Sequence, residues 1–135
     1  DIANGQRVLR ALEVCLATGR PFSSYKTSPS GNRSFTIEKV GLYRDREELY
    51  RRIDARVLDM LDHGLVDEVK SLSAYRNLPA LQTVGYKEIF SCLDGEISMD
   101  EAVRLIQRNT RHYAKRQMSY WRRDGSIRWI DAAGQ

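Results

Sequence analysis

The sequence predicts a mostly α-helical fold with one or two short strands. Three observations predict it. Residues 98–123, SMDEAVRLIQRNTRHYAKRQMSYWRR, form an amphipathic run opened by Ser98 with Glu101 three residues on, the capping pair that satisfies orphan N–H groups at a helix start. A second apolar stripe, Leu49, Ile53, Val57, Met60 and Leu61, follows the same helical spacing. Residues 35–42, FTIEKVGL, are β-branched with partial alternation and read as a strand.

Taken in order, Asn4 is a good N-cap, and Val8, Leu9, Leu12, Cys15 and Leu16 repeat at helical spacing behind it. Gly19, Arg20 and Pro21 stop that first helix, so residues 1–20 form one element. Residues 23–34 are rich in Ser, Lys, Thr, Pro, Gly and Asn and predict a mobile loop. The strand follows, and residues 35–135 supply the strand and helices of the core. Asp45 with Glu48 repeats the capping pattern and opens the second long helix, which ends at Gly64. Arg52 and Arg56 stand one turn apart on it, with Glu48 and Asp59 within surface ion-pair reach. Leu65, Val69 and Leu72 predict a short third helix. Residues 78–85 form a linker, and residues 86–93 a short fourth helix stopped by Asp94-Gly95. Gly125 is expected to be left-handed just past the long fifth helix, and residues 127–130 to form a closing strand.

The 135-residue length fits one domain or part of one, and the abrupt opening one turn ahead of a helix predicts a piece of a longer chain. Net charge is +4, and its distribution says more than its sum: residues 107–123 hold six Lys or Arg and no acid. Arg104, Arg108, Arg111, Lys115 and Arg122 fall within about 40° of one line on the helix, with Ala102, Ile106, Tyr113 and Tyr120 on the opposite, core-like side. The plain reading is a solvated face. The sharper one is a cationic edge that follows a phosphate backbone. Tyr113, Tyr120 and Trp121 could stack on bases or fill a core. Two cysteines, each inside a predicted helix, predict no disulfide framework and a reducing cytoplasm. His63 and His112 have no ligands at metal spacing. No apolar run approaches the roughly 20 residues of a membrane span. No Ser/His/Asp or Cys/His set is supported by spacing, and no G-x-x-x-x-G-K-[ST] phosphate loop is present.

Four stretches together resemble the C-terminal half of the tRNA isopentenyltransferase (dimethylallyltransferase) family: QRVLRALEV (6–14), GLYRDREELYRRIDARVLDML (41–61), QTVGYKE (82–88) and NTRHYAKRQMSYWRRD (109–124). Their order and spacing match as well as their letters, over nearly the whole chain. Asn4-Gly5 departs from the acidic or proline residue common there. The resemblance implies a partial domain of a P-loop kinase-like α/β core carrying helical tRNA-binding elements. It implies transfer of a dimethylallyl group from dimethylallyl diphosphate to N6 of the adenine 3′ of the anticodon, in tRNAs reading codons that begin with U. It also implies a Mg²⁺-assisted monomeric cytoplasmic enzyme. The family's ATP-type phosphate loop and its general base lie outside this stretch, so catalytic residues are not expected here and the stretch alone is expected to be inactive.

Residue by residue, the resemblance assigns tRNA contacts to Gln6, Arg7 and Arg10. It assigns a target-base loop to Gln82, Thr83, Val84, Gly85, Tyr86 and Lys87. It assigns an anticodon-arm contact to Lys115, Arg116, Gln117, Met118, Ser119, Tyr120, Trp121 and Arg122. Arg56 matches an arginine associated with the prenyl diphosphate. The rival readings are a non-catalytic RNA-binding helical module and a piece of a nucleoside or nucleotide kinase. The Q-x-x-G-Y and K-R-Q segments argue against the kinase.

Overall fold

Asn4 accepts a hydrogen bond from the Arg7 N–H at 3.1 Å, so the first helix, α1 (Gly5–Thr18), starts on the predicted cap. It ends on Gly19, left-handed at φ 67, whose N–H donates to the Cys15 carbonyl at 2.9 Å. In this computed structural model, residues 3–25 and 34–133 are described. They fall into two compact units, Asp1–Ile37 and Glu38–Gln135, where the sequence reading treats the chain as one partial domain. In the first unit the apolar stripe of α1 faces solvent, with Leu9 62% exposed and Leu16 more so. The predicted 23–34 loop begins as a 3-10 turn, Phe22–Tyr25, and residues 26–33 lie outside the described residues.

The second unit starts with strand β1 (Lys39–Tyr43), which pairs in parallel with β2 (Ile127–Asp131). The strand begins four residues later than the sequence suggests. Its partner sets the limit: Lys39 pairs with Ile127, the first residue of β2, so residues 35–38 have no strand to pair with. Gly41 sits opposite Trp129, and a Cβ there would meet the indole ring at 2.7 Å. Glycine is therefore required in mid-strand by close packing. Parallel sheets are normally covered on both faces, yet Val40 and Leu42 are largely exposed on this pair.

Asp45 opens α2 (Arg46–Asp62), its carboxylate accepting from the Glu47 N–H at 2.8 Å and the Glu48 N–H at 3.3 Å. α3 (Leu65–Ser71) follows a left-handed Gly64. The predicted 78–85 linker contains a 3-10 turn, Pro79–Leu81. Then come α4 (Tyr86–Leu93) and α5 (Met99–Trp121), capped by Ser98, which accepts from the Glu101 N–H at 3.2 Å. The buried core joins all four helices: Val57 from α2, Leu65 and Val69 from α3, Ile89 and Phe90 from α4, Ala102 and Ile106 from α5. Fully burying one such aliphatic side chain is worth about 1.5–3 kcal/mol.

Two expectations for α5 fail. Gly125 is not left-handed. The helix instead closes with Arg122 in a right-handed helical conformation, and Asp124 turns the chain by accepting from the Ser126 N–H at 3.0 Å. Tyr113 and Tyr120 are 54% and 66% exposed rather than core-like. The last buried side chain of α5 is Ile106, and the remaining turns to Trp121 extend about 22 Å beyond it at ~1.5 Å per residue. The two tyrosines are on the apolar line of the helix but have no core to face.

Candidate nucleic-acid interface

The predicted cationic edge of α5 divides into structural and unengaged charges. Arg104 is engaged by Glu101 on the preceding turn. Arg111 points at α2, where its guanidinium meets Asp54 at 2.5 Å, and Gln107 donates to the Asp54 carbonyl at 3.3 Å. Those two positions stitch α5 to α2, which corrects the reading of one continuous solvent edge. Among the described residues, Lys115, Arg116, Arg122 and Arg123 have no carboxylate within ion-pair reach. Cations left unneutralised on a surface suit an anionic ligand better than cations already paired.

These four charges line hollows. One open groove of about 530 Å³ is lined by His112, Lys115, Arg116, Ser119, Tyr120 and Arg123. A second, about 440 Å³, lies between the start of α2 and α5, and includes Lys115, Met118, Ser119 and Arg122. Lys115 and Ser119 border both grooves, so the two meet over one stretch of helix. Gln117, Met118 and Trp121 face a third hollow against the strands, beside Trp129. Tyr120 and Trp121 stand edge to face with centroids 5.0 Å apart, holding two exposed rings at fixed angles. Of the eight residues assigned by resemblance, 115–122, seven fall on the part of α5 that runs beyond the core and Arg122 is its C-cap; all are exposed except Met118, which is half-buried.

The 82–87 loop is shaped from inside. Gly85 has φ 103 and ψ −61, a conformation that favours glycine. Its N–H donates to Glu88 at 2.8 Å. Glu88 is only 4% exposed, and its other carboxylate oxygen accepts from the Asn109 side-chain amide of α5 at 2.8 Å. Lys87 sits 3.7 Å from the same carboxylate. One buried charge therefore fixes the loop and ties it to α5, because a buried carboxylate is tolerated only when its oxygens are satisfied. Sequence reasoning missed Glu88 and Asn109. The visible signal was a glutamate three residues after a helix-opening glycine, the spacing of a capping partner.

Within the loop, Val84 packs on the core and Gly85 is buried. The Tyr86 hydroxyl donates to Glu68, which raises the phenol's pKa. Gln82 donates its side-chain amide to the Arg76 carbonyl at 2.8 Å and is exposed. Thr83 and Lys87 are exposed, so the loop presents three polar side chains over a fixed backbone. Asn109 is about 9 Å along the helix axis from Lys115, so α5 is the common support of loop and grooves.

Arg56 is exposed on α2 and, like Arg52, has no ion-pair partner among the described residues. The partners expected for them are used elsewhere: Glu48 holds Arg51 at 2.6 Å and Asp59 lies 3.2 Å from His63. Gln6, Arg7 and Arg10 lie on the first turns of α1 in the other unit, and Arg10 is 3.1 Å from Glu13. Among the described residues no group of three or more His, Cys, Asp or Glu could hold a metal ion. No described helix is long and apolar enough to cross a membrane.

The chain was compared with known proteins by sequence and by fold. A tRNA dimethylallyltransferase of Porphyromonas gingivalis is 55% identical over 130 residues, covering 96% of this chain and 43% of that protein. One from Bacteroides thetaiotaomicron is 49% identical over the same span, with 42% of its length covered. The chain thus spans less than half the length of these curated relatives. Among solved structures, the tRNA isopentenylpyrophosphate transferase of Staphylococcus epidermidis superposes with TM-score 0.70 at 36% identity, over 93% of this chain and 42% of that one. A eukaryotic dimethylallyltransferase solved acting on tRNA gives TM-score 0.71 at 28% identity, over 94% and 35%. The family described as IPP transferase matches residues 1–124, and the chain belongs to that family.

Proposed function

We propose that this chain is the tRNA-gripping part of a tRNA dimethylallyltransferase. The whole enzyme moves a dimethylallyl group from dimethylallyl diphosphate to N6 of the adenine 3′ of the anticodon, in the cytoplasm. The observation that carries the reading is the set of unengaged cations and exposed rings on the last turns of α5, beside two adjoining grooves. Cations hold backbone phosphates, and rings receive unstacked bases. The target adenine must leave the anticodon-loop stack, at a cost of a few kcal/mol. The 82–87 loop, stiffened through Glu88, is the surface on which the extruded base rests, with Gln82 and the Gly85 backbone closest to it. Gln6, Arg7 and Arg10 add contacts from α1. Arg56, exposed and unpaired, grips the prenyl diphosphate, a role suited to the two parallel hydrogen bonds a guanidinium offers.

The test uses the full-length native protein, labelled dimethylallyl diphosphate and an unmodified anticodon stem-loop. Label entering the RNA only when the adenine 3′ of the anticodon is present supports the reading. Tight RNA binding without transfer of label overturns it and leaves a non-catalytic RNA-binding module.

A further inference from the structure

The groove between α2 and α5 contains two arginines that no assignment above uses. Arg44 follows the last residue of β1, and Arg46 is the first residue of α2. Both line the groove of about 440 Å³ opposite Lys115 and Arg122. We propose that this groove is a second RNA phosphate site, with Arg44 and Arg46 gripping a backbone phosphate next to the one held by Lys115. The proposal rests on the reading of α5 as an RNA-binding face.

Four observations carry it. First, the groove sets four cations against one carboxylate, Asp45. That carboxylate is already committed: it accepts from the Glu47 and Glu48 amides, hydrogen bonds that keep it ionised and complement the helix N-terminus. The helix amides are thus occupied, and an incoming anion meets side chains instead. Second, no carboxylate is within ion-pair reach of Arg44 or Arg46 among the described residues, whereas Arg51, Arg76, Arg104 and Arg111 of the same unit each have one. Third, Arg46 is oriented. Its Nε donates to the Tyr50 hydroxyl at 3.3 Å and its guanidinium carbon lies 5.2 Å from the Tyr50 ring centroid. This leaves its two terminal amino groups for a bidentate contact, the geometry in which arginine binds phosphate most strongly. Fourth, the groove opens at the carboxyl end of β1, whose last residue, Tyr43, also lines it. Parallel α/β sheets place their ligands outside the carboxyl ends of their strands.

The ligand is an RNA strand rather than a small free anion because Lys115 and Ser119 line this groove and its neighbour alike. A strand running from one groove to the other would place successive phosphates against Arg116 and Arg123, then Lys115, then Arg46 and Arg44. A free diphosphate would use only one end of that track.

The experiment measures binding of an anticodon stem-loop to the full-length protein across a salt series, for wild type, Arg44→Gln, Arg46→Gln, Arg46→Lys and Lys115→Ala. Inorganic diphosphate binding is measured in parallel, and thermal unfolding confirms folding of each variant. Arg44→Gln and Arg46→Gln are each expected to lower the slope of log affinity on log salt by about 0.7–0.9. Arg46→Lys should keep the slope, because it keeps the charge, while weakening binding severalfold through loss of the bidentate grip. Unchanged slopes for both Gln variants, with a reduced slope for Lys115→Ala, would overturn the second site and leave the α5 reading intact. Weakened diphosphate binding with an unchanged RNA slope would also overturn it, reassigning the groove to a small anion. If Lys115→Ala leaves the slope unchanged too, both readings fall.

Discussion

Arg111 of α5 places its guanidinium 2.5 Å from the Asp54 carboxylate of α2, and the pair is partly shielded from solvent. The residue lies on the same helical line as Lys115 and Arg122, yet its charge is already neutralised. Arg111→Ala should therefore cost about 1 kcal/mol of folding stability and leave the salt dependence of RNA binding at the wild-type slope. Denaturant unfolding of the full-length variant, alongside RNA titrations at several salt concentrations, checks both halves.

Glu88 is the polar group whose loss should be felt most. Glu88→Gln keeps the shape but turns an amide donor toward either the Gly85 N–H or the Asn109 amide, leaving a buried donor unsatisfied. The expected penalty is about 1–3 kcal/mol. In the full-length enzyme, discrimination for the target adenine should fall while overall RNA affinity changes little. Comparing transfer to stem-loops with and without that adenine reads the effect.

Asp124 reports on the junction between β1 and the end of α5. Lys39 lies 2.6 Å from its carboxylate, and together with the Ser126 hydroxyl and N–H this holds its pKa down to about 2, against an ordinary 3.8. A depressed folded-state pKa contributes stability that is fully present above the unfolded value and is lost as pH falls through the folded one. The melting temperature of wild type should exceed that of Asp124→Asn at pH 6, and the gap should close progressively between about pH 5 and pH 1. A gap that is the same at about pH 1 as at about pH 6 would exclude the ionic contribution.

Arg56→Ala should chiefly impair use of the prenyl donor. Loss of a charge-assisted contact to diphosphate costs about 1.5–3 kcal/mol, or roughly 10- to 150-fold in kcat/KM for dimethylallyl diphosphate. The Kd for tRNA should stay within about twofold. Steady-state kinetics on the full-length enzyme separates the two.

The helices were legible because their signals are local. Asn4, Asp45 and Ser98 cap where their side chains predict, and Gly19 ends α1 as expected. The strand start was not, because residues 35–38 have strand-like composition and only the pairing of Lys39 with Ile127, far away in sequence, decides where the ladder begins. The cationic edge of α5 was legible as a line but not as a set of partners. Periodicity places Arg111 and Lys115 on one face, while only the position of Asp54 on a neighbouring helix neutralises one and leaves the other unengaged. Tyr113 and Tyr120 misled for a related reason: helical spacing shows which side of the helix is apolar, but not how far the neighbouring core extends.

The central claim is that the far end of α5 grips RNA through phosphates. It is tested most directly by tRNA binding to the full-length protein across a salt series, for wild type, Lys115→Ala and Arg122→Ala, with Gln82→Ala as the contrasting loop variant. Each lost cation should weaken binding similarly for all tRNAs and lower the salt slope by about 0.7–0.9. Gln82→Ala should change base choice and rate with the slope intact. Wild-type slope and affinity in both charge variants would mean that these cations are only solvated, and would contradict the account.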